Sequence, residues 1–141
     1  MAIAFEPVFA AVRAQFDTDV RTALSLTTVY DNDPSPAIST RWCRFSVEAI
    51  DTQLVGAGRK RWRAKCRATV TLFEPIGTNR VKGDGAQLAL ADSIIAVFTD
   101  LSIPEQFIRF GAPNPYGPPE IDSDVWWRRR IELPFRADFF E

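Results

Sequence analysis

Six of the nine residues from Arg59 to Arg67 are cationic, and they alternate. Arg59, Arg61, Arg63, Lys65 and Arg67 take the odd positions of the stretch RKRWRAKCRATVTLF. Trp62, Ala64, Cys66, Ala68, Val70 and Leu72 take the even ones. The chemistry open to such a row is recognition of anions. Guanidinium groups form paired bonds to carboxylate or phosphate, and arginine outnumbers lysine here. Five like charges on one face repel each other, so the row suits a partner of negative charge, either an acidic face of a neighbouring subunit or a DNA backbone. Against this stands the plainer reading that a solvated strand face uses arginine as its polar residue. Arg128 and Arg130, in the run WWRRR, are expected to add to the row from another strand. Trp126 and Trp127 are adjacent, so in a strand one of them points outward, where tryptophan is favoured at protein interfaces.

Covalent and metal chemistry find little support. The chain has no histidine, which excludes Ser-His, Cys-His and histidine-metal arrangements. Lys60, Lys65 and Lys82 sit in or beside no serine motif. Glu120, Asp122 and Asp124 lack the spaced oxygen ligands of a calcium loop, and the glycines from Gly77 to Gly85 lack the Gly-Lys-Ser/Thr of a phosphate-binding loop. These readings point to no enzyme and no cofactor.

The elements that must carry the cations follow from periodicity. Strict alternation puts the basic side chains on one face of a strand and the apolar ones on the other, whereas a helix would scatter them. At roughly 3.3 Å per residue this strand runs about 45 Å, which predicts a bend or an arm reaching past the core. Upstream, Trp42 to Ile50 alternates with Cys43, Phe45, Val47 and Ala49 on one face. Gly56 and Gly58 supply the turn between the two, giving an antiparallel hairpin. Matching the apolar faces puts Cys43 opposite Val70 or Leu72 rather than Cys66, so both thiols are expected to be free and buried. A helix is predicted from Ala4 to about Val20, with Phe5, Val8, Phe9, Val12 and Phe16 as its stripe and a ragged end near Leu24. A short strand is predicted at Thr27 to Tyr30. A second helix is expected to open at Gly83-Asp84-Gly85 with Asp84 as its N-cap, and to bury Leu88, Ala91, Ile95 and Phe98, with Leu90, Ile94, Val97 and Leu101 widening the stripe. Gln106 to Phe110 reads as a short strand, and the four-proline run from Gly111 to Asp124 as irregular. The last strand, Val125 to about Phe135, carries Pro134, which predicts an edge position. The fold expected is α+β, a mainly antiparallel sheet with a long hairpin and two helices packed on one face, in a single domain over residues 1–141.

Composition agrees with that scale. The chain has 141 residues, is 46% hydrophobic, and balances 17 basic against 18 acidic residues. The net charge of -1 does not mark a nucleic-acid binder, but the charge is segregated, with cations on strands and many acids in connections. Opposed charged faces suit contacts with other protein surfaces, copies of the same chain included. No apolar run approaches the ~20 residues that span a bilayer, and the start MAIAFEPVF lacks the basic region of a signal peptide, so synthesis in a reducing cytoplasm is expected.

The order of features resembles a known family. An amphipathic N-terminal helix leads to a strand ending in Tyr30-Asp31-Asn32-Asp33-Pro34, then to a glycine-turned hairpin running into Phe73-Glu74-Pro75-Ile76-Gly77. A Gly-rich loop and a helix with Leu90-Ala91-Asp92 follow. The chain closes with Trp126-Trp127 and Ile131-Glu132-Leu133-Pro134-Phe135-Arg136. This order is similar to that of the tail-terminator proteins of long-tailed bacteriophages and related phage-like particles. The resemblance implies an α+β subunit of a homo-hexameric ring at the head-proximal end of the virion tail, made in the bacterial host cytoplasm. Such a ring stops polymerisation of the tail-tube protein, meets the head-tail connector, and lets DNA pass through its lumen without sequence recognition. It implies no enzymatic activity, cofactor or membrane partner. Two other readings stay open: a different ring-forming tail-tube or neck protein, and a nucleic-acid-binding module using the basic strand face.

Overall fold

The computed structural model of the chain describes residues 3–30, 33–34, 36, 40–56, 61–75, 80–114, 120–122 and 126–140, without the side chains of 80–86, 121 and 122. In chain order the elements are α1 (Phe5–Phe16), β1 (Thr27–Tyr30), β2 (Trp42–Val55), β3 (Arg61–Pro75), α2 (Arg80–Phe98), β4 (Ser102–Ile103), β5 (Ile108–Phe110), β6 (Glu120–Asp122) and β7 (Trp126–Phe140). The fold is α+β. The sheet has seven strands in the order β1-β2-β3-β7-β5-β4, with β6 paired to β7 beside that path. All pairs are antiparallel except β1 with β2.

Alternation decides which face of this sheet is core. Cys43, Phe45 and Val47 of β2 sit opposite Leu72, Val70 and Ala68 of β3, and β3 in turn sets Val70 and Ala68 against Ile131 and Leu133 of β7. These side chains are buried with Val12, Phe16 and Phe98 of the helices in one cluster. Phe16 joins the layers: its ring lies 4.3 Å from Phe45 on the sheet and 6.4 Å from Phe98 on α2. Each such side chain contributes at most about 1.5–3 kcal/mol on burial.

Helix α1 buries Val8, Val12 and Phe16, while Phe5 and Phe9 are half-buried at the margin. A π-helical turn, Asp17–Thr22, takes the place of the ragged end and brings Val20 into the same line. Tyr30 pins that turn to β1 by donating to Asp17 Oδ1 at 2.9 Å. Helix α2 begins earlier than its glycines suggest: it starts at Arg80, so Asp84 lies within the helix and is no N-cap. Its buried line is Gln87, Ala91, Ile94 and Phe98: Ile94, from the margin of the expected stripe, is core, while Leu88 and Ile95 are half-buried. The cause is polar. Gln87 reaches inward, its Oε1 accepting from Arg129 Nε at 3.2 Å and its Nε2 donating to the carbonyls of Leu72 and Trp127.

The hairpin is longer than periodicity suggested, because β2 runs on from Ile50 to Val55. A register shift between Ala49 and Asp51 leaves Ile50 unpaired, so Asp51, Gln53 and Val55 fall opposite Lys65, Arg63 and Arg61. Gly56 turns the chain at φ 85°, in the left-handed region that glycine tolerates. Cys43 pairs with Leu72 and Cys66 with Ala49, so both thiols are buried and free.

Strand β7 is central rather than an edge: β3 pairs along one side of it, and β6 and β5 along the other. Pro134 is tolerated there because its carbonyl accepts from Gly111 on the β5 side, just past the end of the β5 pairing. N–H and C=O of one strand residue point the same way, so the missing donor lies on the β5 side and the long ladder to β3 loses no bond. The run expected to be irregular ends in a short strand, since Glu120, Ile121 and Asp122 follow its last proline and pair with Arg128, Trp127 and Trp126.

Candidate assembly surface

The helices cover one face of the sheet; the other face carries the cations. Odd positions of β3 and even positions of β7 share it, as the pairs Arg63–Asp138, Lys65–Arg136 and Thr71–Arg130 show. Of the expected row, Arg59 lies outside the described residues. Arg61 stands opposite Val55 and Phe140, and its Nε is buried without a hydrogen-bond partner among the described residues. Arg63 forms a paired bond with Asp138, Nε to Oδ1 at 2.9 Å and Nη2 to Oδ2 at 3.1 Å. That guanidinium holds the Asp138 carboxyl below the usual aspartate range. Arg67 bonds Glu48 across β2 and reaches Glu132 of β7 at 3.7 Å. Arg128 donates to Glu120 at 2.7 Å. Arg130 is exposed.

Acids of the same chain therefore meet much of the expected repulsion. Arg63, Arg67 and Arg128 each face a carboxylate from a neighbouring strand, which the strand-by-strand reading of the sequence could not supply. One row differs. Lys65 stands opposite Arg136, and Arg136 stands opposite Arg109 of β5. Like charges directly opposite on one sheet face are unfavourable. None of these three has a carboxylate within ion-pair distance among the described residues. Asp51, the neighbour on the other side of Lys65, turns to its own strand and accepts from Thr52 N and Gln53 Nε2.

The row lines an open groove of about 570 Å³ together with Ile50, Gly111 and Pro134. Ile50 is 58% exposed at the bulge. Phe107, 55% exposed, enters β5 from a left-handed backbone (φ 54°), uncommon for an aromatic residue, and its ring meets Phe140 edge-on at 4.8 Å. At the far end of the same face Trp42 stacks on Phe73 at 4.0 Å, with Trp126 edge-on to it at 6.1 Å. Trp126 is thus the tryptophan that joins the outer face, since it pairs with Pro75 while Trp127 alternates inward.

Arg109 and Arg136 were absent from the expected row. Arg136 was within reach, because it continues the even positions of Arg128 and Arg130 once β7 is extended past Phe135. Arg109 was not, since only the pairing of β5 with β7 brings it there.

No protein-family model and no curated protein matches the sequence. Among solved structures 19 chains match, and one of them is 19% identical over 94% of this chain and 96% of its own, with a TM-score of 0.65. That likeness shows the fold. Among the described residues, no helix is long and apolar enough to cross a membrane.

Proposed function

We propose that this chain is a structural subunit of a homo-oligomeric ring of the tail-terminator kind, capping a tail tube at its head-proximal end and meeting the head-tail connector. One observation carries the reading. Among the described residues no layer covers the second face of the sheet, yet it exposes Ile50 and Phe107 beside three cations that have no carboxylate within ion-pair distance. Water is a poor match for such a mixture, and a protein surface with acidic and apolar groups is a good one. The α+β fold with a long hairpin agrees with what the family resemblance implies. In this reading the chain acts by occupancy: it covers the growing end of a tube and offers no equivalent site to the next tube subunit.

A phosphate-binding role for the basic strand has less support, because Arg63 and Arg67 are held by carboxylates of the same sheet. Electron microscopy of the concentrated protein tests the proposal. Closed rings of one diameter, unstacked and with an open lumen, are expected. Long stacked tubes would make the chain a tube subunit instead, and single particles without rings would contradict assembly by this chain alone.

A further inference from the structure

The cation row needs an acidic counterpart, and the sequence holds one segment suited to it. No lysine or arginine lies between Lys82 and Arg109, while Asp84, Asp92, Asp100 and Glu105 do. From Ala89 onward the exposed stripe of α2 and its C-terminal turn is Ala89, Asp92, Ser93, Ala96, Thr99 and Asp100. It lies on the opposite side of the molecule from the row, since α2 packs on the core face of the sheet.

We propose that the row Lys65–Arg136–Arg109 receives α2 of a second copy of this chain, with Asp92 and Asp100 set against the cations and Ala89 and Ala96 against Ile50 and Pro134. The inference rests on the ring reading and names its contact. Charge is complementary. Three adjacent strands gather the cations within about 10 Å, and Asp92 on α2 and Asp100, two residues past its end, are both exposed. Because the two patches lie on opposite faces, the contact is head-to-tail, the kind that closes into a ring when the rotation fits and cannot end as a two-fold dimer. A nucleic-acid backbone fits less well. A backbone offers nothing to Ile50 or Phe107, which are exposed beside the row.

Light scattering on charge-reversed full-length chains tests this. One variant carries Lys65→Glu, Arg109→Glu and Arg136→Glu; the other carries Asp92→Lys and Asp100→Lys. Each alone is expected to associate at least about tenfold more weakly than the unaltered chain. An equimolar mixture is expected to recover the assembly, because every contact in an alternating ring is then complementary. A row variant that assembles like the unaltered chain would overturn this contact and leave the ring reading standing. Two monomeric variants that fail to rescue each other would overturn the pairing with α2. An unaltered chain that stays monomeric at every concentration would remove both readings, and low-salt DNA binding by that monomer would assign the row to phosphate. Should the glutamate variant fail to fold, Lys65→Gln, Arg109→Gln and Arg136→Gln together test the loss of assembly without the mixing arm.

Discussion

Replacing Arg136 by glutamine should make the isolated chain more stable, although it removes a charged side chain from the middle of a sheet. Arg136 stands directly opposite Lys65 on one side and Arg109 on the other. A like-charge pair in that position costs roughly 0.2–1 kcal/mol, so two pairs cost about 0.4–2 kcal/mol. Against this, Arg136 helps to hold the Asp138 carboxylate at longer range, a lesser cause than the bond from Arg63. The expected net gain is about 0.5–1 kcal/mol. With an unfolding entropy of ~2.1 cal/mol/K per residue, that is about +2–3 °C in Tm for a chain of 141 residues. Thermal or urea unfolding of dilute protein at low ionic strength measures it, with Arg63→Gln as the opposite case, since that change strands Asp138 and should destabilise. Near 1 M salt, where charges are screened over about 3 Å, the Arg136→Gln gain should vanish. A destabilised Arg136→Gln chain, or a gain that persists in high salt, would refute the reasoning that the row is a site of uncompensated repulsion.

Three further outcomes are expected. Asp138 titrates below the ordinary 3.8, so its pairing stabilises the fold above that pH and the contribution is lost as the pH falls through the lowered value. The stability gap between the natural chain and Asp138→Asn should therefore narrow between neutral pH and about pH 3 in urea titrations. Burial pushes both Cys43 and Cys66 up to about 11 from 9.0, which favours the fold below pH 9 and is lost as the pH rises through 11. Native thiols should then hold about 100-fold less thiolate than unfolded ones, and a thiol reagent should label two cysteines slowly before unfolding and fast after it. Gln87→Leu removes the amide that binds Arg129 Nε and two backbone carbonyls in the core, and should cost about 2 kcal/mol in urea unfolding.

Much of the fold was legible because alternation and helical spacing are local. The hairpin register followed from matching two apolar faces, which placed Cys43 opposite Val70 or Leu72, and the structure has it opposite Leu72. What escaped depended on partners distant in sequence. Gln87 was not part of the expected stripe, because the partners that make its burial favourable, Arg129 and the carbonyls of Leu72 and Trp127, are distant in sequence. Pro134 looked like an edge marker because nothing local says that its missing donor points away from the ladder to β3. The candidate surface was half legible for the same reason. The sequence shows that β3 carries a cationic face, but not that Asp138 and Glu48 meet Arg63 and Arg67 while Arg109 and Arg136 gather around Lys65.

The native mass of the unaltered chain, measured by light scattering at rising protein concentration and in low and high salt, tests the ring most directly. A sixfold mass that falls to the monomer in high salt is the result expected of a closed ring held by Lys65, Arg109 and Arg136. A mass that stays at one chain throughout, or one that climbs without limit, would contradict it.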